Sequence, residues 1–254
     1  MEPLITLNNV YKSFSLKSQF KGGIKQFLFH FPKSWQEMRH NRHFEALKGI
    51  SFSVYPGETF GIIGRNGSGK STTLALIAGV LRPDKGEVTV KGRVSALLEL
   101  GAGFHPDLTG FENIILNGVL LGLTKKEIKL KMEKIVEFSE LGQFIYEPIR
   151  TYSDGMLARL GFSVAIHVEP QILLIDEILA VGDVSFQKRC LEKIMEFKKK
   201  DVTIVFVSHG LGDVERICDR VALLNNGKLV HIGNAKEAIK KYIEIMEHND
   251  GKDG

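Results

Sequence analysis

Residues 64–71 run Gly-Arg-Asn-Gly-Ser-Gly-Lys-Ser. Few stretches of this length restrict a fold as tightly. Gly64, Gly67 and Gly69 let the chain turn its backbone N–H groups inward around an anion, a conformation that side chains oppose. The preceding residues, Thr59-Phe60-Gly61-Ile62-Ile63, are an apolar run with the character of a buried strand, and Thr72 to Ala78 has that of a helix. Strand, glycine loop and helix in this order form the setting in which Gly-x4-Gly-Lys-Ser holds phosphates. The helix start adds its positive dipole end. Lys70 is placed to reach β- and γ-phosphates, and the Ser71 hydroxyl to bind Mg²⁺. Gly64, Arg65, Asn66, Gly67, Ser68, Gly69, Lys70, Ser71 and Thr72 are therefore the expected cradle for a nucleoside triphosphate.

A chain of 254 residues, 43% hydrophobic and 25% charged, suits a soluble globular protein with one large core, or one core and a subdomain. No apolar run approaches the roughly 18 residues of a membrane span, and the first residues lack a secretory signal. Cys190 and Cys218 stand apart without metal-ligand spacing, as expected of core residues in a reducing compartment. A net charge of +4 is too mild to argue for a nucleic-acid partner, and none is expected.

Strand patterns over residues 4–16, 50–54, 87–90, 172–175, 203–207, 221–224 and 229–232 alternate with helical patterns over 110–144, 154–168, 185–200 and 235–247. Asn225-Asn226-Gly227 is a hairpin turn. The expected class is α/β with a largely parallel sheet. One domain over 1–254 is expected, with its core from about 1–95 and 158–233. A helical subdomain is inserted over about 96–157, and a last helix and tail follow from 234.

Ile172-Leu173-Leu174-Ile175 ends in the carboxylate pair Asp176-Glu177. Beside a phosphate loop, Asp176 can hold Mg²⁺, and Glu177 can orient an attacking water and take its proton. Upstream, Tyr-Ser-Asp-Gly-Met at 152–156 precedes a helix. Ser153 can cap it, and the Ser153 hydroxyl, the Gly155 N–H and the helix dipole form a second anion site. Within one subunit that site is redundant; it has a use if two copies stack head to tail, each nucleotide shared between them.

This combination resembles the ATP-binding subunits of ABC transporters, over nearly the whole chain. The resemblance implies a P-loop NTPase fold with a RecA-like core, an antiparallel β subdomain and the inserted helical subdomain. It implies that ATP and Mg²⁺ are bound and that the subunit works as a homodimer on an integral membrane permease. Ser153 and Gly155 match the family's signature, while Tyr152, Asp154 and Met156 depart from it. His209, in Val-Ser-His-Gly, matches the switch histidine that contacts the γ-phosphate. Asp183 matches the loop that carries signals between the two sites. Phe14 occupies the place of the ring that stacks on adenine, with Tyr11 nearby. The family's Gln ahead of the helical subdomain is absent between Arg93 and Asn113. Glu99 is the nearest substitute, as a ligand for Mg²⁺ or water, or equally as a solvated loop charge.

The stretches at 97–104, 109–114, 152–156 and 176–183 are similar to those of bacterial exporters of O-antigen, teichoic acid or related lipid-linked glycans. That similarity implies a peripheral subunit on the cytoplasmic face of the bacterial inner membrane, with a lipid-linked glycan reached through the permease. A drug or lipid exporter, or a non-transport ATPase of the same family, is the alternative. Residues 17–45 form an insertion with Lys17, Lys21, Lys25, Lys33, Arg39 and Arg42 interleaved with Phe20, Phe27, Phe29, Phe31 and Trp35. Such a pattern suits an anionic membrane surface, and the competing reading is a solvated hairpin.

Overall fold

The computed structural model describes residues 2–15, 43–97, 103–176, 183–208 and 210–250. In chain order the elements are β1 (Ile5–Ser15), β2 (His43–Val54), β3 (Thr59–Ile63), α1 (Lys70–Ile77), β4 (Lys85–Val90), β5 (Val94–Leu97), α2 (Gly110–Leu120) and α3 (Lys125–Ser139). Then come α4 (Asp154–Ile166), β6 (Ile172–Asp176), α5 (Val184–Lys199), β7 (Thr203–Val207), α6 (Leu211–Ile217), β8 (Arg220–Asn225), β9 (Lys228–Asn234) and α7 (Ala235–Asp250). Short 3-10 turns at Gly142–Tyr146 and Ile149–Thr151 join α3 to α4.

A six-stranded sheet, ordered β5-β6-β7-β3-β8-β9, is parallel except for its last strand. Its central strands are mostly apolar because both faces are covered. Alternate side chains of each strand enter different cores, as the two-residue period requires. Phe60, Ile62, Ile172, Leu174, Val205, Val207, Ala222 and Leu224 face a core shared with Leu74 and Ile77 of α1. Ile63, Leu173, Ile175, Ile204, Phe206, Val221 and Leu223 face the opposite core, built from α4, α5, α6 and α7. The first core also contains Ile5, Leu7, Val10, Ile50, Phe52 and Val54 of a second, antiparallel sheet ordered β2-β1-β4.

A third core gathers Ile114, Ile128, Met132, Ile135, Ile145, Leu160 and Val164 from α2, α3, the first 3-10 turn and α4. The helix α4 belongs to two cores: Phe162, Ala165 and Ile166 pack toward the large sheet, Leu160 and Val164 toward the helical unit. Thr109 and Thr124 each close a reciprocal capping box, with Glu112 and Glu127.

Several expectations change in detail. The helical pattern over 110–144 divides into α2 and α3, because Gly122 takes φ 92° and Thr124 starts a new helix. The short elements β5 and α6 carry no separate pattern in the sequence. β2 extends back to His43, where it pairs with Ser15. α1 begins at Lys70, inside the loop motif. At the β8–β9 hairpin, Asn226 (φ 49°) and Gly227 (φ 78°) supply the two positive φ angles that a type I′ turn needs.

Candidate functional site

β3 ends at the middle of the large sheet and releases the chain into the glycine loop, from which α1 leaves. Gly64, Gly67 and Gly69 all have positive φ, at 151°, 76° and 105°. Ligand-approach space decides the outer glycine: a Cβ at Gly67 would meet nothing within 4 Å. Packing decides the inner two. At Gly69 a Cβ would lie 2.6 Å from Leu47 Cδ2 and 2.7 Å from the Ala46 carbonyl, so β2 presses directly on the loop. The hairpin turn braces the other side: Gly227 N–H donates to Ser68 O (3.1 Å), and Lys48 N–H donates to Gly227 O (2.8 Å).

Lys70 is buried, 5% exposed. Its Nζ donates to the carbonyls of Gly64 (3.0 Å) and Arg65 (3.2 Å), which curls the ammonium back over the loop. Thr73 Oγ1 donates to Gly69 O at 2.9 Å and stiffens the first turn. Ser68 Oγ is buried without a hydrogen-bond partner among the described residues. Arg65, Asn66, Gly67 and Ser71 are exposed and Thr72 is half-buried. Most telling is the N-terminus of α1. Thr109, Thr124, Ser153 and Asp183 all cap their helices with side-chain oxygens, whereas α1 starts at Gly69, and the shorter α6 at Gly210, with no side-chain cap. A helix start without a side-chain cap suits an anionic acceptor, which is what a phosphate provides.

Asp176 is half-buried at the carboxyl end of β6. It is level with Val207 of β7, which is level with Ile62 of β3, so it stands at the sheet edge from which the loop departs. With the Ser71 hydroxyl it offers one carboxylate and one alcohol. That donor set fits Mg²⁺, which takes one or two protein oxygens and fills its octahedron with substrate phosphates and water. No group of three or more His, Cys, Asp or Glu suited to a metal occurs among the described residues. Glu99, Glu177 and His209 lie outside the described residues, as does most of the 17–45 insertion.

Ser153 is exposed and caps α4, its Oγ accepting the Met156 N–H at 3.3 Å. A Cβ at Gly155 would meet only Ser153 Oγ, at 3.8 Å, so the backbone there is open to approach. Asp183 caps α5: Oδ1 accepts the Phe186 N–H at 2.9 Å, the first cause of a carboxyl held below its usual range, and Oδ2 takes Arg159. Phe14 is half-buried and lies directly opposite Phe44 across the β1–β2 pair, with Lys12 Nζ 5.8 Å from its ring centroid. Tyr11 is committed elsewhere, its hydroxyl 2.7 Å from where a Gly49 side chain would begin. Both cysteines are buried, which pushes their thiols up to about 12 and leaves them inert.

Sequence reasoning missed Asp84. In the turn before β4, its Oδ2 accepts the Ser13 N–H (2.6 Å) and hydroxyl (2.8 Å), and its Oδ1 pairs with Lys12 (2.8 Å). These bonds latch β1 immediately before Phe14. The Lys12 and Ser13 hydrogen bonds lower the Asp84 carboxyl to about 2, from an ordinary 3.8. A depressed carboxyl stabilises the fold above its unfolded value and loses that contribution as pH falls through its folded one. Asp84→Ala is therefore expected to melt lower than the parent at pH 7, with the gap narrowing between pH 4 and 2. Melts across pH 7 to 3 check this, and an equal gap throughout refutes it. The turn Pro83-Asp84-Lys85-Gly86 is legible in the sequence, but the target of its carboxylate is not, because it lies far off along the chain.

Comparisons with known proteins agree with this geometry. Residues 47–180 match the family model described as ABC transporter. An O-antigen export system ATP-binding protein of Klebsiella pneumoniae is 57% identical over 97% of this chain and 100% of its own. A teichoic acids export ATP-binding protein of Lactiplantibacillus plantarum is 44% identical over 94% of this chain and 64% of its own. Among solved structures, a dimeric ATP-binding cassette in a post-hydrolysis state with ADP and Pi superimposes with TM-score 0.71 at 19% identity, covering 91% of this chain and 98% of that one. A glycine cradle at the start of a helix, a carboxylate at the end of a strand in the same sheet, a family model over 47–180 and a relative matched over its full length lead to one conclusion: the chain belongs to the ABC transporter family.

Proposed function

We propose that this protein is the ATP-hydrolysing subunit of an exporter of lipid-linked polysaccharide, of the O-antigen or teichoic acid type. One observation carries the reading: a relative named for O-antigen export aligns over its entire length at 57% identity. The uncapped start of α1 and the inturned Lys70 supply the chemistry that such a subunit needs.

ATP is the substrate. Loop N–H groups and Lys70 bind its phosphates, with Phe14 against the adenine and Gly64 to Thr72 around the phosphate tail. Ser71 and Asp176, with Glu99 as a further candidate, would hold Mg²⁺, which when bound neutralises phosphate charge. Glu177 positions the attacking water and accepts its proton, and His209 contacts the terminal phosphate. Ser153 and Gly155 of a second copy close over the same nucleotide, with Asp183 beside that interface. Fixed dipoles and charges then lower the barrier without reorganising. The homodimer acts on a membrane permease from the cytoplasmic face. No helix among the described residues is long and apolar enough to cross a membrane.

Glu177→Gln removes the proton acceptor and keeps the shape. The variant is expected to form a dimer only with ATP, visible by size exclusion, and to abolish surface polysaccharide in cells that carry the permease. An ATP-loaded variant that stays monomeric counts against the shared site, and normal surface polysaccharide counts against the cargo.

A further inference from the structure

Away from the nucleotide cradle, four charged side chains knot three helix ends together. Glu140 ends α3 in the left-handed region, at φ 53°. Its two carboxylate oxygens serve two arginines: Oε2 accepts Arg159 Nη1 at 2.8 Å, and Oε1 accepts Arg189 Nη1. Arg159, in the helix that Ser153 caps, also donates Nη2 to Asp183 Oδ2. Arg189, on α5, donates Nη2 to the Phe138 carbonyl on α3. Both guanidinium planes lie near aromatic rings, Arg159 at 4.9 Å from the Phe186 centroid and Arg189 at 4.8 Å from that of Phe138. Two acids meet two bases, so the knot is neutral, and the Arg159 side chain is only 17% exposed.

An isolated surface ion pair does little. This set differs because each arginine has more than one fixed acceptor and a ring beneath it, which restricts its rotamers. It also links α4 to the cap of α5. Ser153 starts α4 and Asp183 starts α5, and Arg159 spans from one helix to the cap of the other. A displacement of α4 is therefore delivered to the start of α5. The hydrogen bonds of these four side chains run to α3, α4 and α5.

We propose that Glu140 and Arg189 are positioning residues: they hold Arg159 so that the starts of α4 and α5 meet a second copy of this chain as one rigid surface. The inference rests on the shared-nucleotide dimer proposed above and adds the device that aligns its two contacting ends. It assigns these residues to dimer closure rather than to nucleotide binding.

The test places Glu140→Gln and, separately, Arg189→Met into the Glu177→Gln protein. Three quantities are measured: ATP binding to the monomer, ATP-driven dimerisation by size exclusion, and melting temperature. Monomer ATP affinity is expected to stay within about twofold, while dimerisation weakens about tenfold, as for residues coupled in one network. Arg189→Lys, which retains the charge that faces Glu140, restores at least half of the lost dimerisation. Dimerisation equal to that of Glu177→Gln in both variants overturns the inference alone. A parallel loss of monomer ATP affinity and melting temperature also overturns it, since that marks a merely structural role. A Glu177→Gln parent that never dimerises overturns the shared site, and this inference with it.

Discussion

Lys70→Met is expected to lower ATP turnover by at least about a hundredfold while the protein remains folded. In the proposed mechanism the ammonium faces the phosphates as their charge develops, and removing one such donor costs on the order of 3 kcal/mol of barrier. Methionine matches the length and apolar character of the buried stem, so the cavity stays filled. The carbonyls of Gly64 and Arg65 lose a donor, but the loop keeps its braces from β2 and the hairpin turn. Phosphate release gives the turnover and a thermal melt gives the fold. Turnover within tenfold of the parent would remove Lys70 from the proposed machinery.

The second large effect is expected from a single methyl group. Gly64 has φ 151°, and a Cβ there would lie 2.2 Å from the Leu224 carbonyl oxygen, 2.6 Å from Ser68 Oγ and 3.1 Å from the Leu224 carbonyl carbon. Two of these three atoms are backbone of a central strand that cannot step aside without disturbing its pairing with β3. Gly64→Ala therefore combines a strained dihedral with overpacking, for a loss of about 3 kcal/mol or more. In a domain of this size each kcal/mol shifts the melt by roughly 2–4 °C, and nucleotide binding is expected to fail with the loop. Gly67→Ala is the control. Its φ of 76° is unfavourable, but no atom lies within 4 Å of the new Cβ, so a loss of about 1 kcal/mol is expected. Equal melting temperatures for the two variants would show that the Leu224 contact does not govern the loop.

The contrast between these glycines also shows which parts of the site the sequence made legible. The cradle was readable because its geometry is local: glycine spacing, an apolar run before and a helix after are all contiguous. β6 and β7 were readable for a similar reason, since burial on both faces leaves no polar alternation to confuse the pattern. α2 and α3 were read as one helical stretch because apolar residues continue through Leu121 and Leu123, and the break comes from the conformation of Gly122 and the capping by Thr124. The four-residue β5 and seven-residue α6 are too short to establish a period. The Asp84 latch and the Glu140–Arg159–Asp183–Arg189 knot were invisible for a different reason. Their partners sit on separate elements, and charged residues at such distances form no motif until the chain has folded.

The bare start of α1 makes this fold a reporter of its own occupancy. Four other helices are capped by their own side chains, while α1 begins at the glycine loop that suits a nucleotide. A nucleotide held there joins the native state and not the unfolded chain, contributing about 2.7 kcal/mol once its concentration reaches a hundred times its dissociation constant. A cell short of triphosphate would thus hold this subunit not merely idle but thermally softer.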